Sequence, residues 1–431
     1  MKDFKYISED YLHYVWKYRM LDADALVTDD GQLVEIIYPG YHNHHSGPDF
    51  SHAKIRIGDQ LWVGNVEIHV LHSDWDKHGH GGDPAYNNII LHVVYEKDVA
   101  VLSNVKQQFP TIELKNRLDN AHFSKYNALL SSGRDFPCQN LIGLLDQSFV
   151  KQWLEKQLIE RLMQKAELVQ KDWQFFKGDW DTVMYRYLAR ALGLKVNADP
   201  MWWLSGALPL PLIRKYTDND LAFHALYFGQ SGLLFSPTIR EDGYVHALLT
   251  HFQHLARRHE LQPMDPTIWR FLRMRPGSFP TVRVAQLALI MQHMPHLFSL
   301  FLQANSVEDV RQHLLRPMPE YWHNHYILGK PSKRGVQSIS ASTVDRLIIN
   351  AVVPVLFAYA QYSQDESRME KMIEWMYALP SERNALTEMF ANSGVLQFDA
   401  ATSQATIHAH QNYCRPRKCL QCAIGNKLLS R

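Results

Sequence analysis

Apolar positions in the first quarter of the chain fall in short runs bounded by turn-forming residues. Residues 51–57, 61–70 and 88–95 are rich in Val, Ile, Leu and Trp, which predicts three strands. Gly58-Asp59-Gln60 separates the first two and is short enough to close an antiparallel hairpin. Side chains alternate across a strand, so Glu67 and His69 are expected on one face and Val66, Ile68 and Val70 on the other. Ser8-Glu9-Asp10 ahead of Tyr11, Leu12, Val15 and Trp16 reads as a capped helix whose apolar stripe packs on the sheet. Residues 33–38 read as another strand, ended by Pro39-Gly40. Residues 99–102 and 111–114 are two further short strands.

The period then changes. Residues 131–141 are rich in Ser, Gly and Pro and show no periodicity, which marks a boundary. From Asp146 onward the spacing is helical. Trp153, Leu154, Leu158, Leu162, Met163 and Ala166 share one face of a helix over 149–170. Further helices are predicted over 181–192, 222–228, 284–291, 307–313, 342–360 and 369–376. The expected fold class is therefore α+β. A mixed α/β domain spans 1–130, a linker 131–145, a larger all-α domain 146–405, and a Cys-rich tail 406–431.

Charge removes some partners and leaves others. Forty-five basic residues balance 44 acidic ones, so global electrostatic steering toward nucleic acid is absent, although a local groove would suffice. The opening residues are polar and lack the apolar segment of a signal peptide. No apolar run reaches the ~20 residues of a membrane span, residues 348–359 being too short. A cytoplasmic protein is expected, and four cysteines in that compartment argue against disulfides.

The candidate chemistry lies in residues 47–95. Asp49 follows Gly47-Pro48 just before the first predicted strand, and the hairpin can fold it back beside Glu67. Asp, then roughly fifteen to twenty residues, then Glu-x-Lys on a strand is the layout of the PD-(D/E)xK nuclease core, which this stretch resembles. The resemblance implies a restriction-endonuclease-like fold, with Asp49 and Glu67 holding Mg²⁺ or Mn²⁺ for phosphodiester hydrolysis of DNA or RNA. The sequence departs from that pattern at His69, which stands where the Lys would be. A neutral imidazole can orient water or bind metal but lacks the permanent charge of Lys. The glycine-rich loop brings His78 and His80 one residue apart, a spacing that can bind zinc. With Asp74 and His92 they are expected to contact substrate, with His42, His44 and His45 as secondary candidates. Glu35 is expected to face solvent. Two other readings stand beside the nuclease. One is a non-catalytic nucleic-acid-binding protein with a degenerate core. The other is a zinc-dependent hydrolase of small substrates using His78, His80 and His92.

Two stretches outside this core carry signals. Four arginines interleave with Phe271 and Phe279 over 270–283. That pattern can grip a nucleic-acid strand, and more often marks a structured loop. The tail holds Cys414, Cys419 and Cys422 as C-x4-C-x2-C, and the fourth cysteine is Cys138. The whole inventory equals one four-thiolate site, for zinc or an iron–sulfur cluster. His408 and His410 are the alternative ligands to Cys138. GPDF at 47–50, W-x-G-x-VEIH at 62–69, SDW at 73–75, H-x-H at 78–80, AYNN at 85–88 and ILHVVY at 90–95 together resemble a family of uncharacterised bacterial proteins. The resemblance covers nearly the whole chain, tail included, and implies no activity.

Overall fold

A computed structural model describes residues 7–43, 46–80, 83–98 and 109–430. It is an α+β chain in which an N-terminal sheet region is followed by a helical one. The polypeptide divides into two units. The first comprises the chain up to Ile142 together with the tail from His410 onward, and the second is Gly143–Ala409.

The first unit opens on α1 (Glu9–Tyr18), whose Ser8 cap accepts the Tyr11 N–H. Five strands then form one path, in the order β1 (Val34–Tyr38), β3 (Phe50–Ile57), β4 (Gln60–Leu71), β5 (Ile89–Glu96) and β6 (Thr111–Glu113). The short β2 (Tyr41–His42) pairs beside β3. β3 runs antiparallel to both β1 and β4, whereas β5 is parallel to β4 and β6 is parallel to β5. The crossover from β4 to β5 is made by α2 (Asp74–Lys77) and a single turn at Pro84–Tyr86. α3 (Asn120–Leu130) closes the mixed region. The strand expected over 99–102 lies outside the described residues.

The hairpin carries one irregularity that sets the site. Phe50 pairs with Val66 but Ala53 pairs with Gly64, so β3 holds one residue more than β4 across this interval. The extra residue bulges at His52, which adopts a left-handed φ of 56°. Gly64 lets the neighbouring strand approach. A β-carbon there would lie 2.3 Å from Ile90 Cγ2 and 2.9 Å from the Asn88 carbonyl oxygen.

β4 is buried on both faces. Val66 and Ile68 join Tyr11, Leu12, Val15, Trp16, Phe50, Leu91 and Val93 in the main core of this unit. Burial of each such large side chain stabilises by about 1.5–3 kcal/mol, which fixes the strand's register from this face. The opposite face carries Glu67 and His69, with His92 level with Glu67 on β5. Glu35 is on the exposed side and pairs with Arg56 at 3.1 Å, as its expected solvent position allows.

The second unit is helical. It begins with α4 (Gln147–Phe175) and α5 (Trp180–Leu192). The continuous helical run Ala341–Tyr362 is 22 residues long, more than the sequence pattern suggested, and passes a length-and-composition test for a membrane span. Its most apolar window is 78% buried within the protein, as in a core helix. The Lys165 ammonium donates to Asn350 Oδ1 at 3.1 Å within this unit. In the 270–283 stretch, Arg283 is buried and donates to Gln286 Oε1, Thr343 Oγ1 and Ser278 Oγ. That arginine is structural and is not available to a nucleic-acid strand.

Candidate functional site

The bulge at His52 decides which residue meets Glu67. With Phe50 opposite Val66, Asp49 falls level with Glu67, and the two are tied reciprocally. The Asp49 N–H donates to Glu67 Oε2 at 3.1 Å, and the Ile68 N–H donates to Asp49 Oδ2 at 2.9 Å. The two acidic groups expected to converge from sequence do stand side by side. Their oxygens are also partly committed to backbone, and Asp49 Oδ2 lies 3.2 Å from His13 Nε2 on α1.

Glu67 Oε1 points into a cluster of imidazoles. His80 Nε2 is 3.3 Å from it and His69 Nε2 is 3.7 Å. His78 Nδ1 lies 3.2 Å from His69 Nε2. His69, His78 and His80 each offer a ligand atom, and these atoms all lie within 4.8 Å of one another. Behind them, His69 Nδ1 is 2.9 Å from His92 Nε2. The cluster grades outward from the buried His69 and His92, through His80, to an exposed His78. The loop reaches this place because Asp74 Oδ2 accepts the Leu71 N–H and pulls α2 back over the end of β4.

Aromatic rings wall the cluster. Tyr86 stacks on His80 with centroids 4.1 Å apart, and Trp75 stands edge-on to His69, His80 and His92. Phe109 packs on Trp75 at 4.5 Å. The result is a dry pocket for charge. Burial pushes the Glu67 carboxyl up to about 8, and the neighbouring Asp49 carboxylate adds to the effect. Burial holds His69 down to about 4, with His78 and His80 acting in the same direction. His92 is held well below its ordinary value, again chiefly by burial. Burial opposes protonation of His13 too, but the Asp49 hydrogen bond and charge outweigh it and lift that imidazole above its usual value.

Three residues named from sequence stand as follows. His92, expected at the substrate, is 1% exposed and has its Nε2 2.9 Å from His69 Nδ1. Asp74 was also expected at the substrate, but its oxygens are taken by Leu71 N–H and the Lys77 ammonium. His69, expected to orient water or bind metal, stands among the possible ligand atoms with His78 and His80. His44 and His45 lie outside the described residues. His42 stacks on Phe50 and meets His13 edge-on at 5.2 Å. His13 and Tyr86 were not expected at all. A single histidine within an amphipathic helix carries no sequence signal for a site.

A cavity of about 280 Å³ opens between α1 and the tail, with Asp10 on its wall, and none of the clustered histidines or carboxylates lines it. Tyr14, Lys17 and Tyr18 line it from α1, His42 from β2, Tyr126 from α3, and Tyr413, Arg417 and Lys418 from the tail. His42 thus touches both the cavity and, through His13, the Asp49 carboxylate. The four cysteines all belong to the first unit and none forms a disulfide. Of the alternative ligands, His408 pairs with Glu160 in the second unit, and His410 is influenced by Asp135.

The family described as "Protein of unknown function (DUF2851)" matches residues 9–385, and the chain belongs to it. The matched range ends before the cysteine-bearing tail, so the resemblance read from sequence into that tail is not part of it. No curated protein and no solved structure matches the chain.

Proposed function

We propose that this member of the DUF2851 family is a metal-dependent hydrolase that cleaves phosphodiester bonds of nucleic acid beside Glu67. The observation that carries the reading is the meeting of His69, His78 and His80, with Glu67 Oε1 3.3 Å from His80 and 3.7 Å from His69. His80 Nε2 is buried and faces Glu67 Oε1 at 3.3 Å, without a hydrogen bond of good geometry among the described residues. The donor set is nitrogen-rich, which suits zinc, manganese or ferrous iron better than the all-oxygen Mg²⁺ shell expected from Asp49 and Glu67 alone. His69, His78 and His80 would hold the ion, and Asp49 is reassigned to positioning Glu67 and the Ile68 backbone. A divalent ion bound there would supply Lewis acidity and a more acidic water.

The protein's own groups do the rest. Glu67 Oε1 faces the imidazoles and can accept the proton of an attacking water. His92 fixes the tautomer of His69 by accepting its Nδ1–H. Trp75 and Tyr86 keep bulk water away from the carboxyl and the rings. Lys17, Arg417 and Lys418 in the cavity between α1 and the tail suit phosphate oxygens, and the tyrosines between them suit base stacking. A cytoplasmic location, where its thiols stay reduced, accords with this reading.

The imidazole content also favours a second reading, a zinc hydrolase of small esters. Both are tested together. Metal-stripped protein is reloaded with Zn²⁺ or Mn²⁺ and offered labelled single- and double-stranded DNA, RNA, and chromogenic phosphodiester and carboxyl esters. Cleavage of nucleic acid that needs metal and falls at least about 100-fold in Glu67→Gln is expected. Full activity in Glu67→Gln overturns the proposal. Turnover of the small carboxyl ester alone selects the second reading, and binding of nucleic acid without turnover selects a non-catalytic role.

A further inference from the structure

The tail poses a separate question, independent of the histidine cluster. All four cysteines of the chain lie in one unit, although the whole second unit separates Cys138 from the other three in sequence. Cys414, Cys419 and Cys422 are buried, Cys138 is half-buried, and none of the four is in a disulfide. The tail is wound to collect them. The Lys418 N–H returns to the Tyr413 carbonyl, the Arg417 N–H to Cys414, and the Cys422 N–H to Cys419. Arg417 takes a left-handed φ of 59° to make the reversal. Gly425 then packs so close that a β-carbon there would lie 2.0 Å from the Cys419 carbonyl oxygen. Leu420 and Leu429 anchor the segment in the main core, against which Cys138 also packs.

Cys138 interacts electrostatically with each of Cys414, Cys419 and Cys422, so the four thiols share one neighbourhood. Four sulfurs gathered from two distant stretches of chain are the ligand set of a thiolate-bound metal group. Their spacing separates the candidates. A tetrahedral zinc with bonds of about 2.3 Å holds its sulfurs about 3.8 Å apart. Among the described residues, the one group of three or more ligating side chains that meets within 4.8 Å is His69, His78 and His80. No three of the thiols meet at that spacing, so they are spread more widely than one ion requires. A cube of four irons and four sulfides spreads its thiolates more widely in just this sense.

We infer that Cys138, Cys414, Cys419 and Cys422 together ligate a [4Fe–4S] cluster. The surroundings fit a group that carries net negative charge. Arg417 Nη1 is buried without a hydrogen-bond partner among the described residues, and the Arg417 charge acts on both Cys414 and Cys419. The cluster's role is to pin the end of the chain to the segment after α3. That pinning sets Tyr413, Arg417 and Lys418 where they line the cavity next to α1.

The test uses the full chain purified without oxygen. Iron, acid-labile sulfide and zinc are measured, and visible absorption is recorded before and after dithionite. About four irons and about four sulfides per chain are expected, with broad visible absorption that bleaches on reduction. Cys138→Ser and Cys422→Ser should each lose most of the iron and sulfide while the histidine cluster still takes up added Zn²⁺. Should both variants misfold, the wild-type content decides alone. Protein that holds zinc without sulfide, or takes up neither iron nor sulfide on anoxic reconstitution, overturns the inference.

Discussion

Replacing His92 with Phe tests whether the buried imidazole pair orients a metal ligand. His69 and His92 are each 1% exposed, and their facing nitrogens are 2.9 Å apart, so no water can take the place of either. His69 can present a lone pair from Nε2 only if its hydrogen sits on Nδ1 and is donated to His92 Nε2. Phe keeps the ring's bulk against Trp75 and removes the acceptor. His69 then has two responses. It can keep the hydrogen on Nδ1 as an unsatisfied buried donor, which costs about 1–3 kcal/mol. Alternatively it moves the hydrogen to Nε2 and forfeits the lone pair that faces Glu67 and His78. On the first route the penalty corresponds to a loss of about 5- to 150-fold in affinity, at tenfold per 1.4 kcal/mol. Groups that orient metal-bound histidines elsewhere matter by about 10- to 100-fold, in the same range. Zinc affinity should therefore fall some tens-fold in His92→Phe. His92→Gln restores an amide acceptor and should recover most of the loss. The assay is competition of metal-free protein against a chromophoric chelator, with circular dichroism to establish that each variant is folded. Wild-type affinity in a folded His92→Phe protein would refute the orienting role, as would a His92→Gln protein no better than His92→Phe.

Two further outcomes follow from packing and burial. Gly64→Ala brings a methyl within 2.3 Å of Ile90 Cγ2 and 2.9 Å of the Asn88 carbonyl that receives the Asn65 N–H, so β4 and β5 must separate. A loss of about 1–3 kcal/mol and a fall of several degrees in the thermal midpoint are expected by calorimetry, and an unchanged midpoint would deny the close approach. His224 in the second unit is buried against the Tyr244 hydroxyl at 3.0 Å, and burial pushes it down from 6.5 to about 4. The unfolded chain takes up a proton there that the folded chain refuses. The contribution is therefore complete above pH 6.5 and is lost as pH falls toward 4, by at most about 1.4 kcal/mol per pH unit. The stability difference between wild type and His224→Gln, measured by urea unfolding, should slope across that window and level off above it. A difference that is flat throughout would refute it.

The hairpin was legible because its two signals agree. Alternation marks the strands, and Gly58 with its positive φ marks the turn. That agreement brings Asp49 near Glu67 but does not settle their faces. The pairing of Ile57 with Gln60, continued without interruption, would put Asp49 level with Ile68 on the core face. The extra residue at His52 moves it one place, level with Glu67. A left-handed histidine in a strand is not announced by any local preference, so the decisive step of the site was invisible in sequence. The parallel course of β5 was hidden for a related reason. Among the described residues its crossover holds a four-residue helix and a short turn, far from the long helix such a connection usually needs. The run Ile89–Glu96, buried on both faces, was nevertheless a sign of an interior strand. The helical half was legible in outline from its period, while the π turn Ile348–Val352 and the burial of Lys165 depend on neighbours far away in sequence. His92 makes the general point. A polar side chain inside an apolar strand must find a partner or be expelled. Its partner proves to be His69, and that demand, more than the count of histidines around it, is what holds the imidazole cluster in one arrangement.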